Sequence, residues 1–245
     1  MRTQAVKDIV LAEGATAHLF ERYGIDYCCH GDETLEDVCA KKDLDPDIII
    51  EEIGALKRSR PYSFLHSDLW DEEFLIEYIV KNHHRYSRAA IPQLLHQLAH
   101  LNTTHGDRFP NFKSVMLLFQ HAAREIEQHM RKEEMILFPY FKSLVSAREF
   151  SRRRPLAPFV TVGGPISRME KEHEETAQIF AKIRALLDGF TVPSGACAMH
   201  STVIKGLEAF ANDLHQHVHL ENNVLFPRVR ILEEAFDRRS GLPLS

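Results

Sequence analysis

The sequence has little cysteine and almost no tryptophan: four and one, respectively, in 245 residues. Cys28, Cys29, Cys39 and Cys197 form no C-x-x-C pair. A disulfide framework is therefore not expected, and in a cytosolic chain the thiols stay reduced. No apolar run approaches 18 residues, so no membrane-spanning helix is expected. The first residues, MRTQAVKDIVLAEG, have no apolar core and no small-residue cleavage site, so they do not read as a secretory signal, and a cytoplasmic location is expected. Basic charge is not in excess. The net charge of -5 argues against a nucleic-acid footprint, and Arg152-Arg153-Arg154 reads as a short solvated loop. The sustained period-2 alternation of strands is missing as well, which points to an all-α chain.

Histidine, by contrast, is abundant, at fifteen residues. Imidazole is the commonest biological metal ligand, so the placement of these residues matters. Residues 1–58 read as a small helical unit punctuated by Gly14 and Gly24, with Thr34-Leu35-Glu36-Asp37 spaced as a capping box after Cys28-Cys29. Residues 59–70, around Pro61 and its serines, read as a linker. From 71 to 235 the pattern is helical, with long segments near 70–101, 110–148, 165–188 and 197–230. These suggest an antiparallel four-helix bundle. The connection at 149–164 is long for such a bundle and reads as a cover or a flexible loop.

Two of these segments carry the same phrase. His129-Met-Arg-Lys-Glu133 runs on to Leu137-Phe138-Pro139, and His217-Val-His-Leu-Glu221 runs on to Leu225-Phe226-Pro227. A spacing of four puts histidine and glutamate one turn apart on one helix face. His84 and His173 stand upstream of the two phrases by 45 and 44 residues, so the chain reads as two copies of an H…H-x3-E half. On each helix the ligand candidates share a stripe with apolar residues: Ile76, Val80, Ile91 and Leu95; Leu118, Ala122 and Ile136; Ile166, Met169, Phe180 and Leu187; Phe210, Leu214 and Val224. An ionised glutamate on an apolar stripe is costly unless paired or bound to metal. His84, His129, Glu133, His173, His217 and Glu221 are thus candidate metal ligands. Four imidazoles and two carboxylates suit iron, manganese or zinc. If the carboxylates are shared, the set fits two non-haem iron ions with open positions, completed by oxo, hydroxo, water or substrate. His83, His96, His100, His105, His121, His215 and His219 are read as surface, packing or supporting residues. His83 lies about 100° off the inward stripe. Glu125 and Glu172, beside that stripe, are candidates for orienting the imidazoles.

The doubled pattern resembles the hemerythrin-like cation-binding domain over about residues 71–230. The oxygen-carrying type has a further histidine one turn after the third-helix ligand, where this sequence has Ala177. YGIDYCCHGDETLEDVC, residues 23–39, resembles the cysteine-bearing head domain of di-iron iron–sulfur cluster repair proteins of the RIC type. The order of the two domains strengthens that match. His30 departs from it, standing where a second small residue is expected after the cysteine pair. The resemblance implies a cytoplasmic, homodimeric protein acting in recovery from nitric oxide and oxidative stress. It implies two oxo- or hydroxo-bridged irons per chain held by the six residues above, and damaged iron–sulfur proteins as partners. Cys28 and Cys29 match the family's cysteine pair and are the candidate reactive residues. Placed before a helix starting near Thr34, they would be favoured as thiolates. The linker would let them approach the bundle or swing away. Cys39 and Cys197 read as packing. Three functions compete: cluster repair by iron delivery or redox chemistry, reduction of nitric oxide at open ferrous sites, and capture of nitric oxide or oxygen without turnover. A ferritin-like oxidase is a weaker structural alternative, because only Glu170-Lys-Glu-His173 has its E-x-x-H spacing among the inward histidines.

Overall fold

The computed structural model describes residues 1–59, 70–105 and 111–240, and these contain eight helices and no strand. The proposed linker lies outside the described residues apart from its two ends, as does the side chain of His105. Four short helices come first: α1 Val6–Ala12, α2 Thr16–Tyr23, α3 Leu35–Lys42 and α4 Pro46–Ser59. Gly24 ends α2 in the left-handed conformation (φ 64°), which a residue without Cβ adopts at no cost. Thr34 caps α3, its Oγ1 accepting the Asp37 amide, as the capping-box spacing anticipates.

Four long helices follow. α5 runs Glu72–Tyr78, passes through a π turn at Ile79–His84 and continues as Arg85–His105. α6 runs Asn111–Lys132, a π turn at Glu133–Leu137, then Phe138–Glu149. α7 is Gly163–Leu186. α8 runs Ala198–Leu220, a π turn at Glu221–Leu225, then Phe226–Ser240, ten residues beyond the end that the sequence pattern suggests. α5 packs against α6 and α8, and α6 against α7. The two matching π turns have a local cause. Pro139 and Pro227 have no N–H for the carbonyl four residues back, and their rings crowd it, so the preceding turn widens.

That widening changes which residues face inward. Ile136, placed on the inward stripe by a straight 3.6-residue period, is exposed, while Leu137 is buried. In α5 the π turn ends on His83 and His84, and both are buried, whereas the period places His83 off the stripe. Two apolar clusters fill the interior. One joins α1–α4 (Val6, Phe20, Leu35, Ile49) and the loop residue Tyr27 to the bundle residues Phe119, Phe180 and Phe210. The other, with Leu75, Phe141 and Val229, fills the opposite end of the bundle. The inward histidines and glutamates fall where each long helix passes from one cluster to the other.

The first unit is seated on the bundle. Asn223 in α8 donates to the carbonyls of Tyr27 and Cys28, Tyr27 packs its ring edge-on against His219, and Arg184 of α7 donates to the Glu21 carbonyl. Two other expectations are overturned. Arg154 does not lie in solvent: it binds Glu233 (2.6 Å) and Asp237 (2.7 Å) and pins the 150–162 connection onto α8, with Val162 N–H donating to Glu233. Cys39 is packed as expected, but Cys197 is exposed at the N-cap of α8, because the helix starts just beyond it.

Candidate metal centre

Six side chains converge on one point between the four long helices, three of them (His84, Glu133 and Glu221) from the π turns. His84, His129, Glu133, His173, His217 and Glu221 are all buried, none more than 6% exposed. Their ligand atoms fall into two groups. His84, Glu133, His217 and Glu221 make one, His129, Glu133, His173 and Glu221 the other, each with all atoms within 4.8 Å. The carboxylates are common to both and divide their oxygens between them. Glu133 turns Oε2 toward His84 Nε2 (3.4 Å) and Oε1 toward His129 Nε2 (3.2 Å). Glu221 turns Oε1 toward His217 Nε2 (3.0 Å) and Oε2 toward His173 Nε2 (3.1 Å).

The outer nitrogens explain why this set calls for a cation. His84 Nδ1 lies 2.7 Å from Glu134, His129 Nδ1 3.0 Å from Glu172 and His173 Nδ1 2.8 Å from Asn222 Oδ1. Each partner offers an acceptor oxygen, so the ring proton belongs on Nδ1 and the Nε2 lone pair points inward. Yet His129 Nε2 lies 2.9 Å from His173 Nε2, and His84 Nε2 lies 3.2 Å from His217 Nε2. Lone pairs facing at that separation repel unless a positive ion sits between them. Both Glu133 oxygens and Glu221 Oε2 are buried without accepting a hydrogen bond. Buried carboxylate oxygens in that condition are expensive, and metal ions satisfy them. The donor set of imidazole nitrogen and carboxylate oxygen suits a divalent transition ion.

The buried charges shift one another's titration. Burial opposes charge on His129, but the Glu133 carboxylate and Glu172 overcome it and push the pKa well above the ordinary 6.5. At His217 burial wins and the pKa falls. Burial alone would raise Glu221, but His217, His129 and His173 together hold it well below 4.5. Glu172 is held at about 2, first by its hydrogen bond to His129 and further by Lys132 and Arg168.

Of the two glutamates singled out as orienting groups, Glu172 meets its imidazole, whereas Glu125 faces solvent beside His121 (3.9 Å). Sequence reasoning missed Glu134 and Asn222. They carry a common signal, since each directly follows the glutamate of its repeat and each holds the histidine of the preceding helix. The Leu-Phe-Pro signature has a matching pair of roles: Phe138 stacks on His84 and Phe226 on His173. His83 stacks on His217 with rings 7° from parallel and bonds Asp213 at 3.0 Å, while His219 packs against Tyr27.

The cysteine pair lies outside this cluster. Asp26 Oδ1 accepts the amides of Cys28 (3.0 Å) and Cys29 (2.9 Å), and Cys28 Sγ lies 3.1 Å from the same oxygen and 3.9 Å from Cys29 Sγ. The expectation of a favoured thiolate fails at Cys28. Its contact with Cys29, its burial and the Asp26 charge all push the thiol up, and the α3 N-terminus is occupied by its own Thr34 cap. A cavity of about 460 Å³ lies between the first unit and the bundle, with Asp26, Lys42, Ala177, Arg184 and His215 among its walls.

Residues 75–229 match the hemerythrin HHE cation binding domain. The chain belongs to the hemerythrin HHE family. Residues 2–57 match a second family, described as a domain of unknown function (DUF542). Proteins named "Iron-sulfur cluster repair protein YtfE" from Escherichia coli O1:K1 / APEC and from Enterobacter sp. (strain 638) are 31% identical over 227 residues, covering 93% of this chain and 96% of theirs. A further relative of the same name, coverage and identity comes from Escherichia fergusonii. The hemerythrin-type bundle here has Ala177 lining the cavity one turn beyond His173, and among the described residues no fifth imidazole joins the four in the cluster. No helix among the described residues is long and apolar enough to cross a membrane.

Proposed function

We propose that this chain is a di-iron protein that repairs iron–sulfur clusters damaged by nitric oxide or oxidative stress. The observation that carries the reading is the sharing of Glu133 and Glu221, each with one oxygen turned to either histidine pair. Two pairs with common carboxylates suit two ions, with His84 and His217 holding one and His129 and His173 the other. Bound there, a pair of irons supplies both one-electron chemistry and iron that can be exchanged. The name shared by the relatives supports repair as the use to which that chemistry is put.

The chain's own residues do the rest. Glu134, Glu172 and Asn222 hold the Nδ1 protons of three imidazoles and keep their Nε2 atoms directed inward. Phe138 and Phe226 cover two of the rings and hold water back. Two imidazoles and two carboxylate oxygens for each ion leave positions open to solvent species or nitric oxide. Cys28 and Cys29 take part in passing iron or electrons without being resident ligands of the centre, since neither belongs to its two groups.

The test is anaerobic repair of an enzyme whose cluster has been destroyed by nitric oxide. Iron-loaded wild-type protein restores its activity and Glu133→Leu does not. Cys28→Ser/Cys29→Ser keeps its iron but loses most of the repair. Equal repair by Glu133→Leu overturns the proposal. Production of nitrous oxide from nitric oxide without any repair moves the function to gas reduction.

A further inference from the structure

The loop carrying the cysteines is tightly built, with Tyr27 and Cys28 buried, Cys29 half-buried and, of these four, only His30 exposed. Asp26 Oδ1 accepts two successive amides and closes a turn that holds both cysteine side chains on one side. Tyr27 anchors it from below, donating its hydroxyl to Glu21 (2.9 Å) and packing on His219. Gly31 closes the turn so tightly that a Cβ there would lie 2.4 Å from the Tyr27 carbonyl and 2.7 Å from Lys7 Cβ. Lys7 and Val6 donate their amides to the carbonyls of Gly31 and Glu33, tying the loop to α1. Donor atoms of Asp26, Cys28 and Cys29 all lie within 4.8 Å of one another. The fourth side chain is His30. Its Nδ1 is 2.8 Å from Asp26 Oδ2, and at 57% exposure it can turn its ring toward the sulfurs.

We propose that Asp26, Cys28, Cys29 and His30 form a second cation site that takes one divalent transition ion, with ferrous iron in transit as its cargo. Two sulfurs, one oxygen and one imidazole nitrogen are the mixed soft and borderline donors that tetrahedral ions of this class take. The sulfur separation fits. Two sulfurs bonded at ~2.3 Å to a tetrahedral ion stand about 3.8 Å apart, and here they are 3.9 Å apart. A buried sulfur beside a carboxylate and a second sulfur is a poor place for an anion alone. A cation reverses that, replacing the thiol protons, which leave to solvent. The site shares no ligand with the dinuclear centre. It is joined to it through Asn223, which binds the Cys28 carbonyl two residues after Glu221. The cation site stands on the loop geometry, and its cargo role rests on the repair reading above.

The experiment uses the full chain with its dinuclear centre loaded with iron and its cysteines reduced, titrated anaerobically with cobalt(II). Cobalt bound by thiolate gives near-ultraviolet charge-transfer absorption and intense visible bands when tetrahedral. One cobalt per chain is expected, with iron content unchanged. The signal disappears in Cys28→Ser/Cys29→Ser. In Asp26→Asn, which keeps the oxygen that closes the turn, and in His30→Gly, the affinity falls by at least the ~10-fold that loss of an outer orienting partner costs at a metal site. Absence of thiolate–cobalt absorption in the wild type overturns the site, as does wild-type affinity in both single variants. If cobalt binds as described but Asp26→Asn and His30→Gly repair as well as wild type, the cargo role is overturned and the site stands. Failure of the wild type to repair at all strikes the repair reading and leaves the cobalt result untouched.

Discussion

His129 and His217 occupy equivalent positions in the two repeats, and their outer nitrogens meet different surroundings. His129 Nδ1 faces Glu172, itself bound by Lys132 and Arg168. His217 Nδ1 is buried without a hydrogen bond, and beside it lies the parallel ring of His83, the residue that stands before His84 as Glu172 stands before His173. Burial is severe at both, yet the pKa of His129 is driven up and that of His217 down. One phrase repeated in sequence therefore produces a cluster symmetric in its candidate ligands and asymmetric in its electrostatics. Imidazole and carboxylate at four-residue spacing define where the donors are. The group behind each imidazole defines how strongly it donates.

The strongest challenge to the shared part of that design is removal of a common carboxylate. Glu133→Leu and Glu221→Leu should each lose most of both irons, because each takes a donor from both histidine pairs. Metal analysis that finds one iron retained at normal affinity would break the shared-ligand reading. The asymmetric part is tested by Glu172→Gln. A neutral acceptor is weaker than a carboxylate behind an imidazole, so metal affinity should fall about 10–100-fold, mainly at the His129/His173 half. Glu125→Gln, on the solvated face, should leave binding unchanged, and equal losses from the two would remove the distinction between them.

A pH experiment sharpens the same point on the ion-free protein. Glu172 titrates at about 2 in the folded chain, below its ordinary 4.5, first because His129 is hydrogen-bonded to it. The unfolded chain thus binds this proton more readily. The stability it contributes is present above 4.5 and is lost as the pH falls toward 2. Thermal unfolding of Glu172→Gln should show less acid sensitivity than wild type over that window, and identical profiles would show that the pair contributes nothing. The smallest effect on metal is expected from His83→Ala. It removes a stacked ring but no converging donor, so iron should stay near two per chain, whereas His84→Ala should lose the His84/His217 ion. Equal loss from both would make His83 a ligand.

Much of the centre was legible in the sequence because helical period and ligand spacing are both local. The six inward residues could be read from H-x3-E repeated with its upstream histidines, and the all-α class from the lack of alternation. What was misread traces to departures from a uniform helix or to distant contacts. Ile136 was misplaced because the π turn shifts the inward face by a fraction of a turn. Glu134 and Asn222 each reach a histidine on another helix, a pairing no spacing along the chain displays. Arg154 was read as solvated because its partners Glu233 and Asp237 lie about eighty residues away. The Cys28 thiolate was inferred from a nearby helix start, and burial beside Asp26 outweighs it.

The sequence by itself determined the helices, the donor atoms and their division into two like halves, since these follow from propensity and from a period of 3.6 against a spacing of four. Only the tertiary structure decided that each carboxylate splits its oxygens between two histidine pairs, that the pairs are supported unequally, and that the cysteine loop is seated on α8. Those outcomes depend on how four helices approach one another and on what each buries. Burial and charge at a point are set by every chain segment that reaches it, whatever its distance in sequence.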